Sequence, residues 1–149
     1  ITTVGSDAKA EKARALGADH VINYREDRFE GVVRKLTGKK GVDVVFEHVG
    51  AETWAGSMLS LKRGGRLVTC GSTSGVSAPT NLMQLFQQQL KIFGSFGCRM
   101  QNLGDAMAKM AAGRAHPVVD AEIGFDGLPE ALARMESRDV FGKIVLRIS

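Results

Sequence analysis

The stretch TTVGSDAK, residues 2–9, sets a glycine, a hydroxyl and an ammonium close together directly after a β-branched run. Gly5 leaves room where a strand ends, Ser6 offers a hydroxyl and Lys9 brings a point charge. A helix starting at Ser6 adds backbone N–H groups and the positive end of its dipole. These residue types at this spacing suit an anion with bulk around it. Asp7 weakens that reading if its carboxylate turns inward; turned outward it is an ordinary first-turn helix charge. The plain alternative is a helix cap with no ligand.

Two further sets of small residues could let a ligand approach backbone: the HVG turn at 48–50 and the CGSTSG stretch at 70–75. A plain turn requirement explains those glycines equally well. Other chemistry is sparse. His20, His48 and His116 are isolated from other ligand types at metal-site spacing, and Cys70 and Cys98 stand far apart. No metal site and no catalytic residue is expected here. Cys70 has no histidine near it in sequence, which favours a small apolar filler over a nucleophile.

The elements that must carry these residues alternate regularly. ITTV reads as a strand, DAKAEKARAL as a helix with Ser6 as N-cap and Gly17 past its end, and HVIN as a short strand. RFEGVVRKLT is an amphipathic helix closed by Gly38. VDVVFEHV is a nearly continuous apolar run, as in a parallel strand covered on both faces. AETWAGSMLSL is a helix ending before Gly64 and Gly65, followed by the strand GRLVTCG, a loop over 72–81 and the helix LMQLFQQQ. LKIFGSF, NLGDAMAKMAAG, PVVDAEIGF, LPEALARMESR and GKIVLRI continue the alternation. Trp54, Met107 and Met110 fit helix core faces. Strands alternating with helices of about a dozen residues predict an α/β fold with a doubly wound parallel sheet.

The 149 residues suffice for a real core, and 44% hydrophobic with 24% charged content is near the globular average. The net charge of +4 comes from cations scattered among acids, so no nucleic-acid partner is expected. No apolar stretch is long enough to span a bilayer and no signal peptide shows in these residues. With two unpaired cysteines, a cytoplasmic location and no membrane partner are expected.

KARALGADHVINYRED, GVDVVFEHVG, LKRGGRLVTCGSTSG, KIFGSF and FGKIVL, in this order, resemble the C-terminal half of the medium-chain dehydrogenase/reductase superfamily. That group holds zinc-type alcohol dehydrogenases and zinc-free quinone oxidoreductases. The resemblance implies a Rossmann fold over residues 1–114, with 115–149 returning to a catalytic domain. In that fold a first strand, a glycine-rich turn and a helix precede the second strand, which is ITTV here. The strand order 3-2-1-4-5-6 then leaves the first strand's place empty between ITTV and VDVVFE. The chain is therefore expected to be part of a longer polypeptide.

The resemblance also implies site residues. Where NAD-binding domains carry an acid at the end of the second strand, this chain has Gly5 and Ser6, which removes repulsion of a 2′-phosphate. Quinone oxidoreductases that use NADPH have a lysine and a tyrosine matching Lys9 and Tyr24, so NADP(H) is the expected cofactor. Val49, Gly50, Gly71 and Ser72 match the rim near ribose and pyrophosphate. Ser95 and Phe96 match the strand edging the nicotinamide, and Gly142 and Lys143 a tail passing the cofactor. The strand at 90–96 often pairs with its copy in such dimers. Zinc ligands and the small-molecule substrate pocket are supplied by the N-terminal domain. The expected function is hydride transfer to or from an alcohol or carbonyl, quinone or enone. An S-adenosylmethionine methyltransferase, suggested by VDVVFE and LKRGGRLV, and a nucleotide-sensing module are the alternatives.

Overall fold

The computed structural model describes residues 1–148. The chain forms two compact units, residues 1–97 and residues 98 onward. The sequence reading puts its boundary later, at 114/115.

The first unit runs β1 (Thr2–Val4), α1 (Asp7–Ala15), β2 (Val21–Asn23), α2 (Phe29–Leu36), β3 (Val42–Glu47), α3 (Ala51–Ser60), β4 (Leu61–Thr69), α4 (Leu82–Gln87) and β5 (Lys91–Gly94). The helix ends follow local chemistry. Ser6 caps α1, its Oγ accepting from the Lys9 N–H at 3.4 Å, and Gly17 leaves the helix at φ 94°. Asn81 caps α4 in the same way. The strand β4 begins at Leu61, before the two glycines, so the sequence reading starts it four residues late. There the ladder is irregular: Val42 pairs with Leu61 but Val44 with Arg66.

All pairings in this unit are parallel. β1 lies beside β2, with Thr3 opposite Ile22, and β4 lies between β3 and β5. Because β4 is central, Leu67 is fully excluded from solvent and forms the core with Met58, Leu61 and Leu90. Trp54 packs against that core as expected, with its indole N–H donating to Thr80 Oγ1 at 3.0 Å. No ladder joins β1 to β3. Between them runs a cleft of about 430 Å³ lined by Thr3 on one side and by Val42, Val44 and Phe46 on the other. Phe46 is 67% exposed there. The order β2-β1, gap, β3-β4-β5 is the Rossmann order without its first strand.

The second unit holds α5 (Met100–Ala111), β6 (Val119–Ile123), a 3-10 turn (Phe125–Gly127), α6 (Leu128–Glu136) and β7 (Lys143–Leu146). β6 and β7 pair in parallel, joined through α6, which starts with Pro129 in its first turn. Arg134 of α6 donates to Asp120 Oδ2 of β6 at 2.5 Å and to the Asp139 carbonyl at 3.1 Å. This fastens the helix to the sheet. Met107 and Met110 correct the sequence reading: they are exposed, because α5 buries none of its residues. Cys70 is corrected too. It is exposed, since β4 ends at Thr69 and Cys70 opens the loop that follows.

Candidate functional site

Two arrangements stand at the carboxyl ends of the parallel strands, the rim at which open α/β sheets take ligands. The first joins the β1–α1 turn to the end of β2. The Tyr24 N–H donates to the Val4 carbonyl at 3.0 Å, which sets Tyr24 beside Gly5. A Cβ on Gly5 would stand 2.6 Å from the Tyr24 hydroxyl and 3.6 Å from Arg25 Nε. Gly5 is therefore the residue that lets Tyr24 lie across the turn. Asp7 is exposed, and its Oδ1 accepts from Asn23 Nδ2 at the end of β2 at 3.2 Å. Ser6 holds the N-cap, and Lys9 sits in the first turn of α1. The structure thus brings Ser6, Tyr24 and the start of α1 together, and adds Arg25 and Asn23, which sequence reading missed. Their position depends on pairing of β1 with β2, and spacing carries no signal of it.

The second arrangement is a pair of interlocked loops, 48–50 after β3 and 70–75 after β4. Cys70 N–H donates to the Glu47 carbonyl, Ser74 N–H to the Val49 carbonyl and Ala51 N–H to the Gly75 carbonyl, at 3.1, 2.7 and 3.3 Å. The Ser74 hydroxyl donates to the Val49 carbonyl at 2.9 Å and accepts from the Glu52 N–H at 3.0 Å, while Thr73 Oγ1 donates to the His48 carbonyl at 3.3 Å. The loops touch closely enough to exclude side chains at two points. A Cβ on Gly50, at φ 102°, would stand 2.7 Å from the Gly75 carbonyl oxygen, and one on Gly71 would stand 2.8 Å from that of His48. These glycines are thus needed by the loops themselves. Among the described residues no acceptor meets the N–H groups of Gly71, Ser72 and Thr73. Those of Val49 and Gly50 are taken.

What takes them is Glu47, the last residue of β3, only 3% exposed. Its Oε1 accepts from the Val49 N–H at 2.7 Å and the Gly50 N–H at 3.1 Å. Thr53 Oγ1 lies 2.9 Å from both carboxylate oxygens, and Ser57 Oγ donates to Oε2 at 2.5 Å. Burial pushes this carboxyl up, and the Ser57, Val49, Gly50 and Thr53 donors together outweigh burial, so its pKa lies below the usual range. A carboxyl depressed in the folded state stabilises the fold above its unfolded pKa and ceases to as pH falls through the folded value. Stability is therefore expected to be unaffected by this group at pH 6 to 8 and to fall below about pH 4.5. Thermal unfolding followed across pH checks this, and Glu47→Gln should flatten that part of the profile. Sequence reading missed Glu47, although one signal was there: a lone acid, with no cation beside it, closing the apolar run VDVVF.

The remaining candidates are separate. The Ser95 N–H donates to the Thr69 carbonyl at 2.9 Å, which keeps it near the base of the 70–75 loop, and Phe96 is fully exposed. Gly142 and Lys143 lie in the second unit, where the Lys143 N–H donates to the Val118 carbonyl at 2.8 Å. Among the described residues no cluster of histidine, cysteine or acidic side chains could hold a metal, and no helix is long and apolar enough to cross a membrane.

Comparison with known proteins gives these arrangements a context. The family model described as zinc-binding dehydrogenase matches residues 1–112. A quinone oxidoreductase of Salmonella typhimurium is 44% identical over 88 residues, covering 59% of this chain and 27% of its own. A crystal structure of an NAD-dependent alcohol dehydrogenase aligns with a TM-score of 0.87 at 34% identity, covering 99% of this chain and 43% of its own. A 2-octenoyl-CoA carboxylase reductase, CinF, solved in complex with NADP, aligns with a TM-score of 0.87 at 27% identity, covering 98% of this chain and 37% of its own. The chain thus spans less than half the length of these proteins.

Proposed function

The chain belongs to the zinc-binding dehydrogenase family, and on that footing we propose that it is the cofactor-binding portion of an NADP(H)-dependent oxidoreductase. The nicotinamide carries the hydride, and these residues hold and orient it. The substrate would be an alcohol or carbonyl, a quinone or an enone, met by a part of the polypeptide beyond these residues. The observation that carries the NADP reading is the β1–α1 turn. No acid stands at Gly5 or Ser6, the Asp7 carboxylate is engaged by Asn23, and Tyr24 and Arg25 stand over Gly5. Ser6, Lys9, Tyr24 and Arg25 would surround a 2′-phosphate. Gly71 and Ser72 would offer open amides to the pyrophosphate. Val49 and Gly50 would shape that rim, and Ser95 and Phe96 would edge the nicotinamide side.

Three further elements complete the reading. The cleft between β1 and β3 would take one parallel strand, from an upstream part of the polypeptide, pairing with both sheets. The 115–149 segment would return to a catalytic domain, where any zinc would be bound. The edge strand β5, with Ile92 and Phe93 exposed, would pair with its copy in a homodimer in the cytoplasm.

Titration of the protein with NADPH, NADH and S-adenosylmethionine tests this. NADPH should bind more tightly than NADH. In Lys9→Ala and Arg25→Ala, NADPH affinity should fall about tenfold while NADH affinity changes less than about twofold. Equal losses for both coenzymes would count against a phosphate role. Tight binding of the methyl donor without either nicotinamide coenzyme would overturn the oxidoreductase reading, and NADPH binding without turnover of any such substrate would favour a sensing module.

A further inference from the structure

Glu47 is a buried carboxylate that holds the N–H groups of Val49 and Gly50 on the rim and has no hydrogen bond from its carboxylate to Gly71 or Ser72. Its donors say what it does. Two are the backbone N–H groups of Val49 and Gly50, and two are hydroxyls from the first turns of α3, Thr53 and Ser57. The two backbone N–H groups can only donate, and with the two hydroxyls donating as well the carboxylate is held as an anion. It clamps the 48–50 turn onto the start of α3 and satisfies N–H groups that the helix itself cannot pair. With those N–H groups held, the carbonyls of His48 and Val49 point to the neighbouring loop and accept from Thr73 and Ser74. The position of the 70–75 loop is thus set through the turn, and the turn is set by the carboxylate.

We propose that Glu47 is a positioning residue, holding the 48–50 turn so that the open amides of Gly71 and Ser72 stand where a coenzyme meets them. The proposal rests on the coenzyme reading above, and it predicts a pattern different from that of Lys9. The rim touches the part common to NADPH and NADH, so both should be affected alike. Glu47→Ala leaves two backbone N–H groups without an acceptor and is expected to weaken both coenzymes by at least about tenfold, at temperatures well below its unfolding midpoint. Glu47→Gln keeps a carbonyl for those two N–H groups and should recover most of that loss. A merely structural role would give affinity losses that track the unfolded fraction and vanish well below the unfolding midpoint.

The test measures both affinities by coenzyme fluorescence, the unfolding midpoints and, in the coenzyme-free protein, the amide NMR shifts of residues 71–74. Glu47→Ala should move those shifts although its side chain touches none of these residues. Thr53→Val, which withdraws one hydroxyl donor, should move them in the same direction, and it serves if Glu47→Ala fails to fold. Unmoved amides in the folded variants would overturn the proposal, as would affinities for both coenzymes within twofold of the parent. If the unsubstituted protein binds neither coenzyme, the functional reading fails, and the amide shifts still decide whether Glu47 positions the loop.

Discussion

Gly50→Ala is expected to cost about 3 kcal/mol of stability and to open the rim. Two effects add. The backbone at φ 102° and ψ −131° is one that L side chains rarely adopt, and the new methyl would stand 2.7 Å from the Gly75 carbonyl and 2.9 Å from Ser72 Cα. Neither neighbour is a flexible side-chain end, so the 70–75 loop must move. Gly17→Ala separates the two effects, because Gly17 has φ 94° with nothing within 4 Å of the added carbon. That variant should cost only about 1 kcal/mol. Urea unfolding of both measures the difference, and equal losses would show that the loops do not press on Gly50.

Leu67→Ala is expected to cost about 3 to 4 kcal/mol, a large share of the roughly 5 to 15 kcal/mol that holds a domain folded. Leu67 is 0% exposed, on the central strand of the three-stranded sheet, and its neighbours Met58, Leu61 and Leu90 come from α3, the start of β4 and the residue just before β5. Strand backbones on both sides are fixed by ladders, so the space left by the deletion cannot close. The unfolding midpoint in urea should fall with the slope unchanged. A loss under about 1 kcal/mol would mean that the site collapses freely and that the core lies elsewhere.

Much of this architecture was legible in the residues. The alternation of VDVVF and GRLVTCG with helical stretches is a periodic signal, and it yields parallel strands in the right sequence, although not the start of β4 at Leu61. Ser6 as a cap and Gly17 as a stop follow from local backbone chemistry, which spacing reveals. The empty place between β1 and β3 was legible too, because strand order follows from the fold class. What stayed hidden depends on residues far apart in sequence. Asn23 holds Asp7 across 16 positions, and Thr73 and Ser74 close on His48 and Val49 across 25. Arg25 comes over Gly5 only through the pairing of two strands. Met107 and Met110 have the spacing of a core face, yet periodicity reports which side of a helix is apolar and not whether anything covers it.

The six bonds between residues 47–52 and the 70–75 loop are formed within the chain alone. A ligand settling on the proposed rim would meet loops already joined by these bonds, so much of the conformational entropy is lost when the chain folds and not at the encounter. Association there should therefore be quick and free of any gating step, with selectivity expressed in how slowly the ligand leaves.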